Sequence, residues 1–282
     1  MIKQQQYSLG PAAEGADSPF RSALGDFSLG LQLMPIWGVL GWHDIRQRYR
    51  RSVIGPFWLS ISTSLMVVAL GYVYSGLFNQ SLLKYLPFIS VGLVVWGFIS
   101  TILNEASNVF IIAEVTIKQI RQPLTVHVCR LVWRNLIVFC HNSVVIIAIM
   151  VWAKTPITQQ LFLIPVALFI ICFNGLNIGL CLGILSARFR DLVQIVASSI
   201  QILFFVTPIM WDPSVFSSRN AERSWVVEYN PLYHFIEIVR APVLGEAFAF
   251  KSWVVVLILS GVTWALAMLT LMKFRHRVAY WL

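Results

Sequence analysis

The chain has 282 residues, of which 58% are hydrophobic and only 12% charged, and its mean hydropathy is +0.75. Soluble domains carry about 25% charged residues, so a disordered chain is excluded, and so is a water-soluble globule, whose core could not hide this much apolar surface. The net charge of +9 raises nucleic acid as a partner, but basic residues at the cytoplasmic ends of membrane helices account for it, and no nucleic acid is expected.

Residues 1–34 mix Gln, Gly, Ser, Pro and acids without a continuous apolar run. They read as a mobile cytoplasmic tail rather than a signal peptide. Over 35–52, Trp42, Ile45 and Tyr49 recur at helical spacing, continued by Val53, with arginines on the remaining faces. That pattern predicts an amphipathic helix lying in the membrane interface. Gly55-Pro56 ends it.

Charges then punctuate the chain. The stretches 52–83, 85–104, 135–153, 155–187, 192–211 and 252–272 contain no Lys, Arg, Asp or Glu. Each is long enough to hold one spanning helix of roughly 20 residues. The predicted spans are 58–78, 86–108, 135–153, 161–186, 192–211 and 253–273. Six spans put both termini on one side. That side collects fifteen of the Lys and Arg residues against six on the other, so both termini are expected in the cytoplasm.

Two connecting segments are more than loops. Residues 114–134 are polar but periodic, with Ile117 and Ile120 before Pro123, which predicts a short helix across the cytoplasmic face suited to a partner. In 212–252, Asn230 is placed to cap a helix that begins with Pro231. Leu232, Phe235, Ile236 and Val239 form its apolar stripe. It is too short to span, so a re-entrant helix shielded by protein is expected, with a surface amphipathic helix as the alternative. Glu237 and Arg240 stand three apart and could pair. In the fourth span, Gly175, Gly179 and Gly183 make a face for close helix approach. Glu105 is an acid inside a predicted span, a candidate for function or for a hydrogen-bonded structural role.

Other chemistry is missing. There is no GxxxxGK[ST] phosphate loop, no HExxH or GxSxG motif, and no metal-spaced His/Asp set. The four cysteines lie singly in apolar stretches. A membrane glycosyl- or acyltransferase would need polar groups converging at one face. Its best candidates, Glu105, His127, Asp191 and His234, do not share one. A flippase working without ATP would usually show more spans or an internal repeat. The sequence reads as a passage whose energy comes from elsewhere.

Four segments carry a family likeness: RYRRSVIGPFWLSIS from Arg48, ARFRDLVQIV (187–196), FFVTPIMWDPSVF (204–216) and YNPLYHFIEIVRAPVLG (229–245). In this order and spacing they resemble the membrane subunits of ABC-2 type polysaccharide exporters, nearest to those for O-antigen, over about 35–282. The resemblance implies an all-α integral membrane fold of six transmembrane helices. With them come an N-terminal amphipathic interface helix, a cytoplasmic coupling helix near 114–122, and outer gate helices between spans five and six.

It also implies a homodimer in the bacterial inner membrane, joined by two separate ATP-binding-cassette subunits that carry the ATP and Mg. No cofactor is expected in this chain, which is not itself an enzyme. The substrate implied is a lipid-linked polysaccharide, of O-antigen type on undecaprenyl diphosphate, with capsule, teichoic acid or another cargo as the alternative.

On this pattern Arg48, Arg50 and Arg51 are the candidates for docking the diphosphate, because guanidinium grips phosphate bidentately. Tyr72, Tyr74, Phe78, Trp96, Phe98, Phe204, Phe205 and Trp211 are the candidate rings along the glycan channel. Ile117, Lys118, Ile120 and Arg121 would couple to the ATPase. Pro231, Tyr233, Phe235, Glu237 and Arg240 would form the outer gate.

Overall fold

The computed structural model describes residues 18–50, 57–213 and 225–282. The described residues are mostly helical, with no strand among them. In chain order the helices are α1 (Pro19–Gln32), α2 (Met34–Tyr49), α3 (Phe57–Leu77), α4 (Leu82–Ile112), α5 (Glu114–Gln119) and α6 (Leu124–Ala153). Then come α7 (Ile164–Arg188), α8 (Leu192–Val206), α9 (Trp225–Glu228), α10 (Pro231–Leu244), α11 (Phe250–Phe274) and α12 (Val278–Trp281). Among the described residues, α3, α4, α6, α7 and α11 are long and apolar enough to cross a membrane.

The central helix is α4. It packs on α3, α6, α7, α8 and α10, and most of its length is buried. Helix α7 lies against α4, α6 and α11. Its glycines explain the closeness. A Cβ added at Gly179 would stand 2.6 Å from Val128 of α6, and one at Gly183 would stand 2.7 Å from Val109 of α4. On another face, the Asn174 amide bonds Ser260 at 2.7 Å and Thr263 at 2.8 Å, fastening α7 to α11. A hydrogen bond between helices is one of the few attractions that lipid does not also offer.

Several elements differ from the sequence expectation. Residues 19–32 are helix α1, packed on α6 and α11, rather than part of a mobile tail. Asp26 is the reason: its carboxylate accepts from the Leu124 and Thr125 amides at 3.2 and 3.3 Å and from the Thr125 hydroxyl at 2.8 Å. It caps α6 from a distance, where free N–H groups and the helix dipole favour a negative charge. Residues 1–17 lie outside the described part.

Helices α1 and α2 bend by 60° at Leu33. Of the expected stripe on α2, Ile45 is buried and Tyr49 partly so, while Trp42 is 55% exposed, and Gly41 takes its place on the buried side. Helix α6 begins at Leu124 and absorbs half of the predicted cytoplasmic segment, which leaves α5 as its only separate helix. Helix α8 stops at Val206, and its 15 residues reach about 22 Å, short of a roughly 30 Å hydrocarbon layer.

Candidate functional site

Helix α8 stops because Pro208 follows: proline supplies no amide, and it drives the preceding Thr207 into extended backbone. The irregular stretch from Thr207 is buried and stitched to its surroundings. Arg240 of α10, 1% exposed, donates to the Pro208 carbonyl at 2.9 Å and the Ile209 carbonyl at 3.4 Å. Its guanidinium lies 4.0 Å over the Phe88 ring. The Tyr85 hydroxyl donates to the Met210 carbonyl, and the Asn230 amide donates to the Thr207 hydroxyl at 3.0 Å. Gly92 of α4 lets this backbone approach, since a Cβ there would stand 2.7 Å from the Ile209 oxygen. Non-helical backbone survives at membrane depth only when protein satisfies it this way.

The broken helix leaves a cleft of about 880 Å³ between α4 and α8. From α4 it is lined by Trp96, Ser100 and Asn104, four apart. From α8 it is lined by Gln194, Ser198, Gln201 and Phe205, spaced four, three and four. These steps hold each set on one helix face. Exposed amides are costly against hydrocarbon, so this face suits water or a polar solute. One end of the wall is aromatic. Trp96 and Phe204 lie with ring centroids 5.8 Å apart, and Phe204 meets Phe205 at 5.3 Å. The Trp211 indole N–H donates to the Phe205 carbonyl at 3.3 Å.

The eight candidate rings therefore separate. Trp96, Phe204 and Phe205 line the cleft, and Trp211 borders it. Phe98 does not: it is 4% exposed and packs on Phe139 at 4.9 Å, because a two-residue step turns it to the opposite side of α4. Tyr74 and Phe78 stack at 5.8 Å and continue to Tyr85, making a packing column at the α3–α4 turn. Tyr72 is 73% exposed on α3, away from the cleft. The polar liners Ser100, Asn104, Gln194, Ser198 and Gln201 were not among the sequence candidates. Their signal was present as helically spaced polar residues inside apolar spans.

On the face of α4 that Phe98 shares, turned toward α6 rather than the cleft, Glu105 enters an ion network. Glu105 accepts from Arg134 and Asn135, each at 2.6 Å, and from Arg48 at 3.5 Å. Asp44 accepts from Arg130 at 2.7 Å and from Arg134 at 3.3 Å. Glu105 thus joins α2, α4 and α6 in a hydrogen-bonded structural role. Of the arginines expected at the diphosphate, Arg48 faces this network with about half its side chain exposed, and Arg50 is exposed. Arg51 lies outside the described residues.

At the same end of the bundle, α5 carries Lys118 and Glu114 as an ion pair at 2.7 Å. The Lys118 hydrogen bond, reinforced by its charge, holds the Glu114 carboxyl below its usual range. Ile117 packs inward, whereas Val115 and Ile120 are more than half exposed. Helix α5 ends before Ile120 and Arg121, which follow in extended and irregular backbone. Apolar side chains beside Lys118 and Arg121 make a surface suited to a partner.

The expected gate contains α9 and α10; residues 214–224 of that segment lie outside the described part. Asn230 caps α10 by accepting from Leu232 and Tyr233 at 3.0 and 3.4 Å, with Pro231 as the first helical residue. Phe235, Ile236 and Val239 are buried, so α10 is no surface helix. Glu237 and Arg240 make no ion pair within 4.0 Å, because Arg240 is committed to the carbonyls of residues 208 and 209.

A family model described as ABC-2 type transporter matches residues 36–244. The chain is 23% identical to an O-antigen export system permease protein RfbA of Klebsiella pneumoniae, over 68% of this chain and 74% of the relative. It is 25% identical to the protein of the same description from Myxococcus xanthus, over 70% of this chain and 76% of the relative.

Proposed function

The chain belongs to the ABC-2 type transporter family, and on that premise we propose that it is the membrane subunit of an ATP-driven exporter of lipid-linked polysaccharide. The observation that carries this reading is the α4–α8 cleft. Two helix faces carry hydroxyls and amides, with Ala197, Ile200 and Ile202 between them, and meet a cluster of rings. Sugars present hydroxyls to such amides and C–H faces to such rings. A second copy of the chain closes the open side, and the glycan moves through the passage between the two.

Arg48 and Arg50, at the end of α2, together with Arg51, which follows them in sequence, receive the lipid diphosphate. Helix α5 and the exposed Ile120 and Arg121 after it dock on a separate ATPase subunit, which holds the nucleotide and Mg. ATP-driven closure of that partner shifts α5 against the bundle and opens the gate formed by α9 and α10. Both termini face the cytoplasm of a bacterial cell, and the spans cross its inner membrane. The named relatives, both O-antigen export permeases, support the class of cargo.

The test is to replace Gln194 and Gln201 together with Leu in the host. Surface polysaccharide is expected to fall to background while the chain stays at normal levels in the membrane. Normal polysaccharide in that variant would remove the cleft from the path.

A further inference from the structure

At the end of the bundle opposite α5, two cavities meet. One, of about 570 Å³, is polar, with Lys84, Lys154, Asp212, Glu237, Arg240 and Glu246 in its wall. The other, of about 770 Å³, is almost wholly apolar and lies between α6 and α7, with Phe139, Ile147, Met150 and Leu168 in its wall. Lys154 and Thr155 line both. Helix α10 also serves both: Val239 and Val243 face the apolar cavity, and Glu237 and Arg240 the polar one.

Lys154 ends α6 in the left-handed conformation, with φ 53° and ψ 42°. Its amide and that of Thr155 turn back to Val151 and Met150. Glycine or asparagine usually takes this position, because any Cβ is penalised there. Among the described residues the Lys154 ammonium makes no ion pair. The chain thus keeps an ammonium at the shared rim against the preference of its backbone.

We infer that the joined cavities bind one phospholipid with a phosphoethanolamine headgroup. Its acyl chain fills the α6–α7 cavity, its phosphate meets Lys154 and Lys84, and its ammonium meets Glu237 and Glu246. Hydrocarbon is the natural occupant of an apolar cavity in a bilayer, and a helix end is where phosphate lies. Arg240 is spent on the carbonyls of residues 208 and 209, which leaves the two lysines for phosphate. An anionic headgroup without an amine would meet the carboxylates of the same wall unfavourably. Burial pushes the Glu246 carboxyl above its usual range, and an ammonium beside it relieves that cost.

The test is native mass spectrometry of the full chain in mild detergent, with phosphatidylethanolamine and phosphatidylglycerol of matched acyl chains. The ethanolamine lipid is expected at one per chain, retained roughly tenfold over the glycerol lipid. Lys154→Gly is expected to abolish that retention while keeping or raising the thermal midpoint, because glycine relaxes the helix end. If that variant yields no folded protein, Lys154→Gln gives the same readout. Equal retention of the two lipids, preference for the glycerol lipid, or full retention after loss of the lysine would overturn the site.

Discussion

Arg240 stands in an apolar helix of a membrane protein with 1% exposure and two backbone carbonyls in its grip. Its value lies in what it satisfies. Arg240→Met keeps much of the volume and leaves both carbonyls without donors. The expected cost is about 1–3 kcal/mol per unsatisfied group, read as a lowered thermal midpoint in detergent. Arg240→Lys is expected to recover only part of it, since one ammonium cannot reproduce the planar fork over Phe88. Sequence spacing pointed instead to Glu237, three residues away. Proximity along a helix is visible in a sequence; two stranded carbonyls more than thirty residues distant are not.

At the scale of elements, charge served as punctuation in the sequence and misplaced the end of the fifth predicted span, which stops at Val206, and the start of the third. Arg130 and Arg134 set the start of the third span at 135, yet α6 runs unbroken from Leu124. The helix continues because its arginines are neutralised sideways by Asp44 and Glu105. The glycine stripe of α7 was legible, because a four-residue repeat of the smallest side chain has a direct packing meaning. Which helices it would meet was not. Gly179→Leu drives a side chain into Val128, 2.6 Å from the added Cβ. Overpacking of this kind costs about 1–3 kcal/mol or more. Folded protein recovered by size-exclusion chromatography is expected to fall sharply, and unchanged recovery would show that α4, α6 and α7 can part without penalty.

At the scale of the whole molecule, a cleft with hydroxyls and amides in its wall lies on one side of α4, and the exposed apolar side chains of α5 and Ile120, the proposed docking surface, lie at the end of the bundle. The surface has a direct test. Val115→Glu with Ile120→Glu places charges on exposed apolar positions that carry no packing of the core. A loss of about 1.4 kcal/mol or more in docking is expected, so ATPase recovered with the tagged chain falls on the order of tenfold. The amount of chain in the membrane should not change. Undiminished recovery would place the partner elsewhere.

Composition and the charge-free stretches by themselves determined an all-helical membrane protein, and helical spacing marked the capped apolar helix at Asn230. These are local properties, fixed by the length of an apolar run or the identity of a cap. Tertiary structure decided what depends on partners far along the chain. It turned residues 19–32 into a helix that caps α6 through Asp26, and Glu105 into the hub of an ion network. It also divided the aromatic residues between cleft and core. Trp96 and Phe98 have equal claims in sequence, but a helix points them to different sides, and only the packing of α8 and α6 against α4 decides which side is open.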